Sequence, residues 1–140
     1  MSKEDLGGVV LQYYQARAAG DVRRAFSFFT PDAEFQFNGE GAGFPRMADR
    51  AKGGEEVCEM LTALVSSFRL LDWRSTSLTV DGDTAVLAWK ADVLFTATGG
   101  IDSFEAVVVC RFRNGKNVTL RKHTDTAKLA KLLWRRPVSA

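Results

Sequence analysis

The hydrophobic period of this chain changes once, near Leu71, and that change limits the fold more than any single motif. Before it, Leu6, Val9, Val10, Tyr13 and Tyr14 recur at i, i+3, i+4, i+7 and i+8, the apolar stripe of an amphipathic helix. Val57, Met60, Leu61, Leu64, Val65 and Phe68 repeat that spacing and predict another helix over about 54–68. After Leu71 the side chains alternate with the period of two that a strand requires, over about 72–80, 84–97, 102–113 and 117–124. Asp81-Gly82-Asp83 and Asn114-Gly115-Lys116 separate these runs, because Asn or Asp beside Gly tolerates the positive φ of a tight hairpin. Thr98-Gly99-Gly100 makes a third turn. Helices first and an antiparallel meander afterwards predict an α+β domain, its helices laid on one face of a curved sheet.

Between the two long helical stripes the punctuation is local. Gly20 stops the first helix, and Asp21 caps a second running through Val22, Ala25, Phe26 and Phe29. Thr30-Pro31-Asp32 ends it, since proline disfavours helix in the residue before it. Ala33 to Phe37 read as a short strand with Phe35 and Phe37 on one face. The run Asn38 to Pro45 is too rich in glycine for regular structure and reads as a loop over a cavity mouth. No GK[ST] follows its glycines and no helix opens directly after them, which excludes a P-loop. Ala127 to Trp134 form a short final helix, capped by Asp125 or Thr126.

Length and charge exclude several classes of function. A chain of 140 residues fits one domain, expected over 1–140 with a core from about 5 to 133. A net charge of +2 is too small to argue for nucleic acid, and the basic residues gather in a solvated C-terminal tail. Cys58 and Cys110 sit far apart among apolar residues, as buried reduced thiols do in a cytosolic protein. The start is charged and lacks an apolar leader, and no apolar run approaches a membrane span, so a cytoplasmic protein is expected. With one histidine and dispersed carboxylates, neither a metal nor another cofactor is expected.

The most informative strand is Leu87 to Phe95. Leu87, Trp89, Ala91, Val93 and Phe95 form one apolar row, while Ala88, Lys90, Asp92 and Leu94 form the other. Two readings remain open from alternation alone. The polar row faces water across a half-covered antiparallel sheet, or both faces are covered and Lys90 and Asp92 look into a cavity.

The order of elements resembles the nuclear transport factor two-like superfamily, also called cystatin-like, over about residues 5–133. Its carriers here are Tyr13-Tyr14 with Gly20-Asp21, the run Phe29-Thr30-Pro31-Asp32-Ala33-Glu34-Phe35, the hairpin at Asn114-Gly115-Lys116, and Asp125-Thr126-Ala127-Lys128-Leu129. Within it the chain looks most like the branch of SnoaL-like polyketide cyclases, ketosteroid isomerases and limonene-epoxide hydrolases. The resemblance implies a cone: a curved antiparallel sheet wrapped around three N-terminal helices, with an apolar pocket on the concave side. It also implies a homodimer through the convex sheet face, with Leu87, Trp89, Val93 and Phe95 as its contacts.

On that resemblance Lys90 and Asp92 enter the pocket, similar to the Arg-x-Asp strand of the epoxide hydrolases, with lysine in place of the bidentate arginine. The second carboxylate of that site corresponds to Lys122, and its water-positioning Tyr and Asn correspond to Phe35 and to Phe37 or Asn38. Where the ketosteroid isomerases carry a base, this chain has Phe37-Asn38, with Glu40 next. Neither catalytic set is complete. The expected catalytic residues are therefore Asp92 as general base with Lys90 and Lys122 beside it, a Lys-Asp-Lys row that would stabilise an enolate. The expected substrate wall is Phe35, Phe37, Asn38, Met60, Leu64, Leu94, Val108 and Phe112. His123 alternates with Lys122 and is expected on the convex face.

Two functions follow. One is a cofactor-independent isomerase or cyclase, with a hydrolase less favoured, acting on a small hydrophobic carbonyl compound. The other is a non-catalytic binder of an apolar ligand or a dimeric interaction module.

Overall fold

The computed structural model describes residues 3–37 and 50–133. Helix α1 (Lys3–Ala19) buries Leu6, Val10, Tyr13 and Tyr14, the stripe read from the sequence. Gly20 adopts a φ of 77° and ends it, a conformation that costs glycine nothing. Asp21 then caps the short α2 (Val22–Phe26), its side chain accepting from the Arg24 backbone N–H at 3.0 Å.

Helix α2 stops three residues before the expected Phe29, which instead opens strand β1 (Phe29–Phe37). The reason is tertiary. The Asn117 backbone N–H donates to the Phe28 carbonyl at 2.8 Å and Phe29 pairs with Asn117, so pairing takes the backbone that local helix propensity would use. Pro31 is tolerated because the register shifts between Phe29 and Glu34. Strand β2 (Arg50–Lys52), not foreseen from sequence, is a three-residue edge paired with Glu34 to Gln36. Glu34 binds Arg50 at 3.1 Å and Lys52 at 3.4 Å across that pair. Helix α3 (Gly54–Ser67) buries Val57, Met60, Leu61 and Leu64.

The meander comprises β3 (Phe68–Asp81), β4 (Thr84–Phe95), β5 (Gly100–Arg113) and β6 (Lys116–Thr124), and α4 (Thr126–Leu133) closes the described chain. The six strands among the described residues run β2-β1-β6-β5-β4-β3, with β1 parallel to β6 and every other pair antiparallel. The sheet is curved and unclosed, with β2 and β3 as its edges. Register shifts between Leu71 and Arg74 and between Ser75 and Ser77 bend β3, where Asp72 takes a φ of 50°.

The row expected at a dimer face lies inside instead. Leu87, Trp89 and Val93 are 0%, 1% and 6% exposed, and Phe95 stacks on Phe68 with ring centroids 5.4 Å apart. Trp89 meets Tyr14 of α1 at 5.6 Å and Trp73 at 6.4 Å. The cause is the cover available. The helices bring the apolar stripes, so the strand face without charges turns toward them. Lys90, Asp92 and Leu94 consequently point outward.

Candidate functional site

The interior site starts from an amphipathic stripe that does not end with an apolar residue. Arg17 lies four residues after Tyr13 and three after Tyr14, so it shares their face in the last turn of α1. It is 4% exposed and meets the concave side of the sheet. Lys122 reaches the same space from β6. A register shift between Arg111 and Phe112 changes the parity of this strand, burying Asn117 and then Leu120 and Lys122.

The Lys122 amine sits between two aromatic faces, 5.3 Å from the Phe37 ring centroid and 5.1 Å from that of Trp89. Phe37, Leu64, Trp89, Phe104 and Leu129 wall the cavity around the two cations. The free space is about 20 Å³, room for about one water molecule. Leu129 on α4 is one of its lining residues, and a space of this size takes an organic ligand only when its walls move apart.

Burial, and then the nearby Arg17 charge, hold the Lys122 amine well below the ordinary lysine range. Burial also lowers Arg17, yet a guanidinium starts so high that it keeps its proton. Tyr13 and Tyr14, beside Arg17, are raised by burial and stay neutral phenols. Among the described residues no carboxylate lies beside Lys122, and Arg17 Nη1 is buried without a hydrogen-bond partner. The site thus holds one fixed cation and one amine whose charged form burial disfavours, inside an aromatic wall. It can take an anionic or polarised oxygen, and it can accept a proton.

Of the expected catalytic residues, only Lys122 enters this cavity. Lys90 binds Glu105 at 3.0 Å and Asp92 accepts from Ser103 Oγ at 2.7 Å, both on the outer face. There they line an open groove with Asp72, Arg74, Asp125 and Lys128. Asp72 pairs with Arg74 at 3.1 Å, and Lys128 with Asp102 at 3.4 Å, so the groove largely compensates its own charges in water. The Lys-Asp-Lys row does not exist, because Lys122 is on the other side of the sheet.

Of the expected wall, Phe37 and Leu64 line the cavity. Phe35, Met60, Val108 and Phe112 are buried in the core and do not line it. Leu94 is on the outer face. Asn38, like Glu40, lies outside the described residues. His123 is exposed on the outer face, as alternation from Lys122 predicts. Asp125 caps α4 by accepting from the Lys128 backbone N–H at 3.0 Å. Sequence reading passed over Arg17, although its spacing from Tyr13 and Tyr14 already placed it on the buried stripe. Among the described residues no three His, Cys, Asp or Glu side chains gather as a metal site.

A family model described as SnoaL-like domain matches residues 10–119, most of the chain. The chain belongs to the SnoaL-like domain family. Solved structures of the same fold agree with that assignment. This SnoaL-like chain superposes on an NTF2-like protein from Burkholderia pseudomallei with a TM-score of 0.82 at 22% identity, covering 96% of this chain and 100% of that one. TerC, co-crystallised with polyporic acid, gives 0.80 at 20% identity, with 94% and 99% covered. An NTF2-like protein from Burkholderia xenovorans gives 0.76 at 18% identity, with 95% and 98% covered. No curated protein matches the sequence. Likeness at these identities establishes the SnoaL-like fold and leaves the chemistry to the residues in the cavity. Among the described residues no helix is long and apolar enough to cross a membrane.

Proposed function

We propose that this SnoaL-like domain takes a small hydrophobic carbonyl compound in the interior cavity and acts on it as a cofactor-independent isomerase or cyclase. Lys122 replaces Asp92 as the base. The observation that carries this reading is the burial of Lys122 and Arg17 in one aromatic cavity with no carboxylate beside Lys122 among the described residues. A neutral amine removes a proton from the carbon next to the carbonyl, and the charge develops on the carbonyl oxygen. The Arg17 guanidinium has an unused donor, Nη1, to stabilise that enolate. Phe37 and Trp89 exclude water, which strengthens both interactions.

The second reading, a binder without turnover, is favoured by the absence of any carboxylate beside the amine among the described residues, which leaves no second acid–base group to return the proton. Proton exchange separates the two. An aryl ketone incubated in D2O should gain deuterium next to its carbonyl, followed by NMR. Lys122→Met should lower that rate by at least about a hundredfold, the low end for a lost general base. Asp92→Asn should leave it unchanged. Saturable quenching of tryptophan fluorescence with no exchange would establish the binder; neither signal would remove the cavity reading altogether.

A further inference from the structure

The amine in this cavity has more chemistry open to it than proton transfer. Lys122 Nζ is held by the faces of Phe37 and Trp89, 5.3 and 5.1 Å from their centroids, with no carboxylate beside it among the described residues. Its lone pair is therefore not committed to a structural ion pair. Arg17, from the last turn of α1, supplies a fixed positive charge to the same space and a buried donor that nothing there accepts. A ligand that satisfies both groups needs an electrophilic carbonyl carbon for the amine and an anionic oxygen for the guanidinium. The apolar wall of Leu64, Phe104 and Leu129 then covers a hydrocarbon or aryl remainder.

We infer that Lys122 is a covalent nucleophile that forms an imine with an aryl or alkyl 2-oxo acid, whose carboxylate pairs with Arg17. This rests on reading the cavity as a small-molecule site and names the ligand class for it. The amine lone pair attacks the keto carbon and the C=O pair moves onto oxygen. A proton from nitrogen passes to that oxygen, giving a carbinolamine. The hydroxyl takes a second proton from solvent and leaves as water, the C=N bond forms as an iminium, and its nitrogen returns one proton to solvent to give the imine. One amine and one carbonyl yield one imine and one water, with no oxidant or reductant. Lysines activated in this way sit in apolar pockets or next to another cation, and Lys122 does both.

Borohydride-type reduction traps such a bond. The full chain is incubated near pH 7 with phenylpyruvate and sodium cyanoborohydride, then measured as intact protein and as peptides. The expected result is one reduced adduct per chain, mapped to Lys122. Lys122, buried beside Arg17 with no carboxylate next to it among the described residues, should label roughly a hundredfold faster than the exposed Lys90 or Lys116. Lys122→Met should lose the adduct. Arg17→Met should label with cinnamaldehyde, which has no carboxylate, but at least about tenfold more slowly with phenylpyruvate, the loss of a charged hydrogen bond. Adducts spread over surface lysines would overturn the inference. So would saturable phenylpyruvate quenching of tryptophan fluorescence without any adduct, which leaves the cavity reading standing. Absence of both binding and adduct would overturn the two together.

Discussion

Lys122 is the residue at which the fold and its use conflict. Placing an amine among Phe37, Trp89 and Arg17 disfavours its charged form, and the described residues offer it no anion in return. Its pKa in the fold lies below that in the unfolded chain, so over the window between them the unfolded chain binds more protons. Stability therefore rises with pH up to the ordinary lysine value, and the cost of burial is felt in full below the lowered one. Lys122→Met removes that cost without leaving a hole. It should stabilise the domain by roughly 1–3 kcal/mol near neutral pH, read from urea unfolding. The advantage of the variant should shrink as pH climbs toward 10. A variant less stable than the parent at pH 7 would mean that the amine is satisfied in the fold.

Asp92 shows the reverse case. Its chemistry was plain in the sequence, but its facing was not. Alternation says that Asp92 and Trp89 look opposite ways; it does not say which of them looks inward. Arg17 was legible for the same reason that it was missed. Its spacing matched the buried stripe, but a guanidinium is ordinarily a surface group, and only the curvature of the sheet over α1 gives it an interior.

At the scale of elements, the sequence was most informative where one helix or one hairpin decides its own form. Helices α1 and α3 and the turns at Gly82 and Gly115 stand where periodicity and positive-φ chemistry put them. It was least informative where two distant segments compete for the same backbone, as at Phe29, which pairs with Asn117 rather than prolonging α2. The strand β2 is invisible for a similar reason: three residues have no period to read.

Helix α4 contributes part of the cavity wall. Leu129 is 7% exposed and lines the cavity, while the Lys128 amine hydrogen-bonds the Ser103 carbonyl and holds the helix down. Leu129→Ala should widen the cavity and admit bulkier aryl ketones. Its stability cost should be about 2 kcal/mol, the low end for a leucine truncation because the site borders solvent. Fluorescence titration and urea unfolding together check this. Unchanged affinity across a ligand size series would show that entry lies elsewhere.

Across the whole molecule, the sheet is held by more than its ladders. Asp32 on β1 hydrogen-bonds Arg113 at the end of β5, a contact that spans β6. That hydrogen bond lowers the Asp32 pKa to about 2. A depressed acid stabilises above its unfolded value, and the contribution is lost as pH falls from about 4 through about 2. Both groups are well exposed, so the effect is small and screened by salt. Asp32→Asn should lower stability slightly near neutral pH at low ionic strength and flatten the acid limb, so that variant and parent converge near pH 2. An identical acid limb in parent and variant would show that the pair contributes nothing.

Sequence alone determined that helices precede an antiparallel meander, that the strand Leu87 to Phe95 has one apolar and one charged face, and that Lys122 and His123 look opposite ways. Those are local properties, set by backbone period and turn chemistry. The inside of the cone was decided only when α1 and α3 covered the sheet. The apolar row went toward them, which left Lys90 and Asp92 on the outer face and buried Leu87, Trp89 and Val93, with Phe95 half-buried beside them. Burial is a property of the packed whole, and it is burial that turns Lys122 and Arg17 from two ordinary cations into a site.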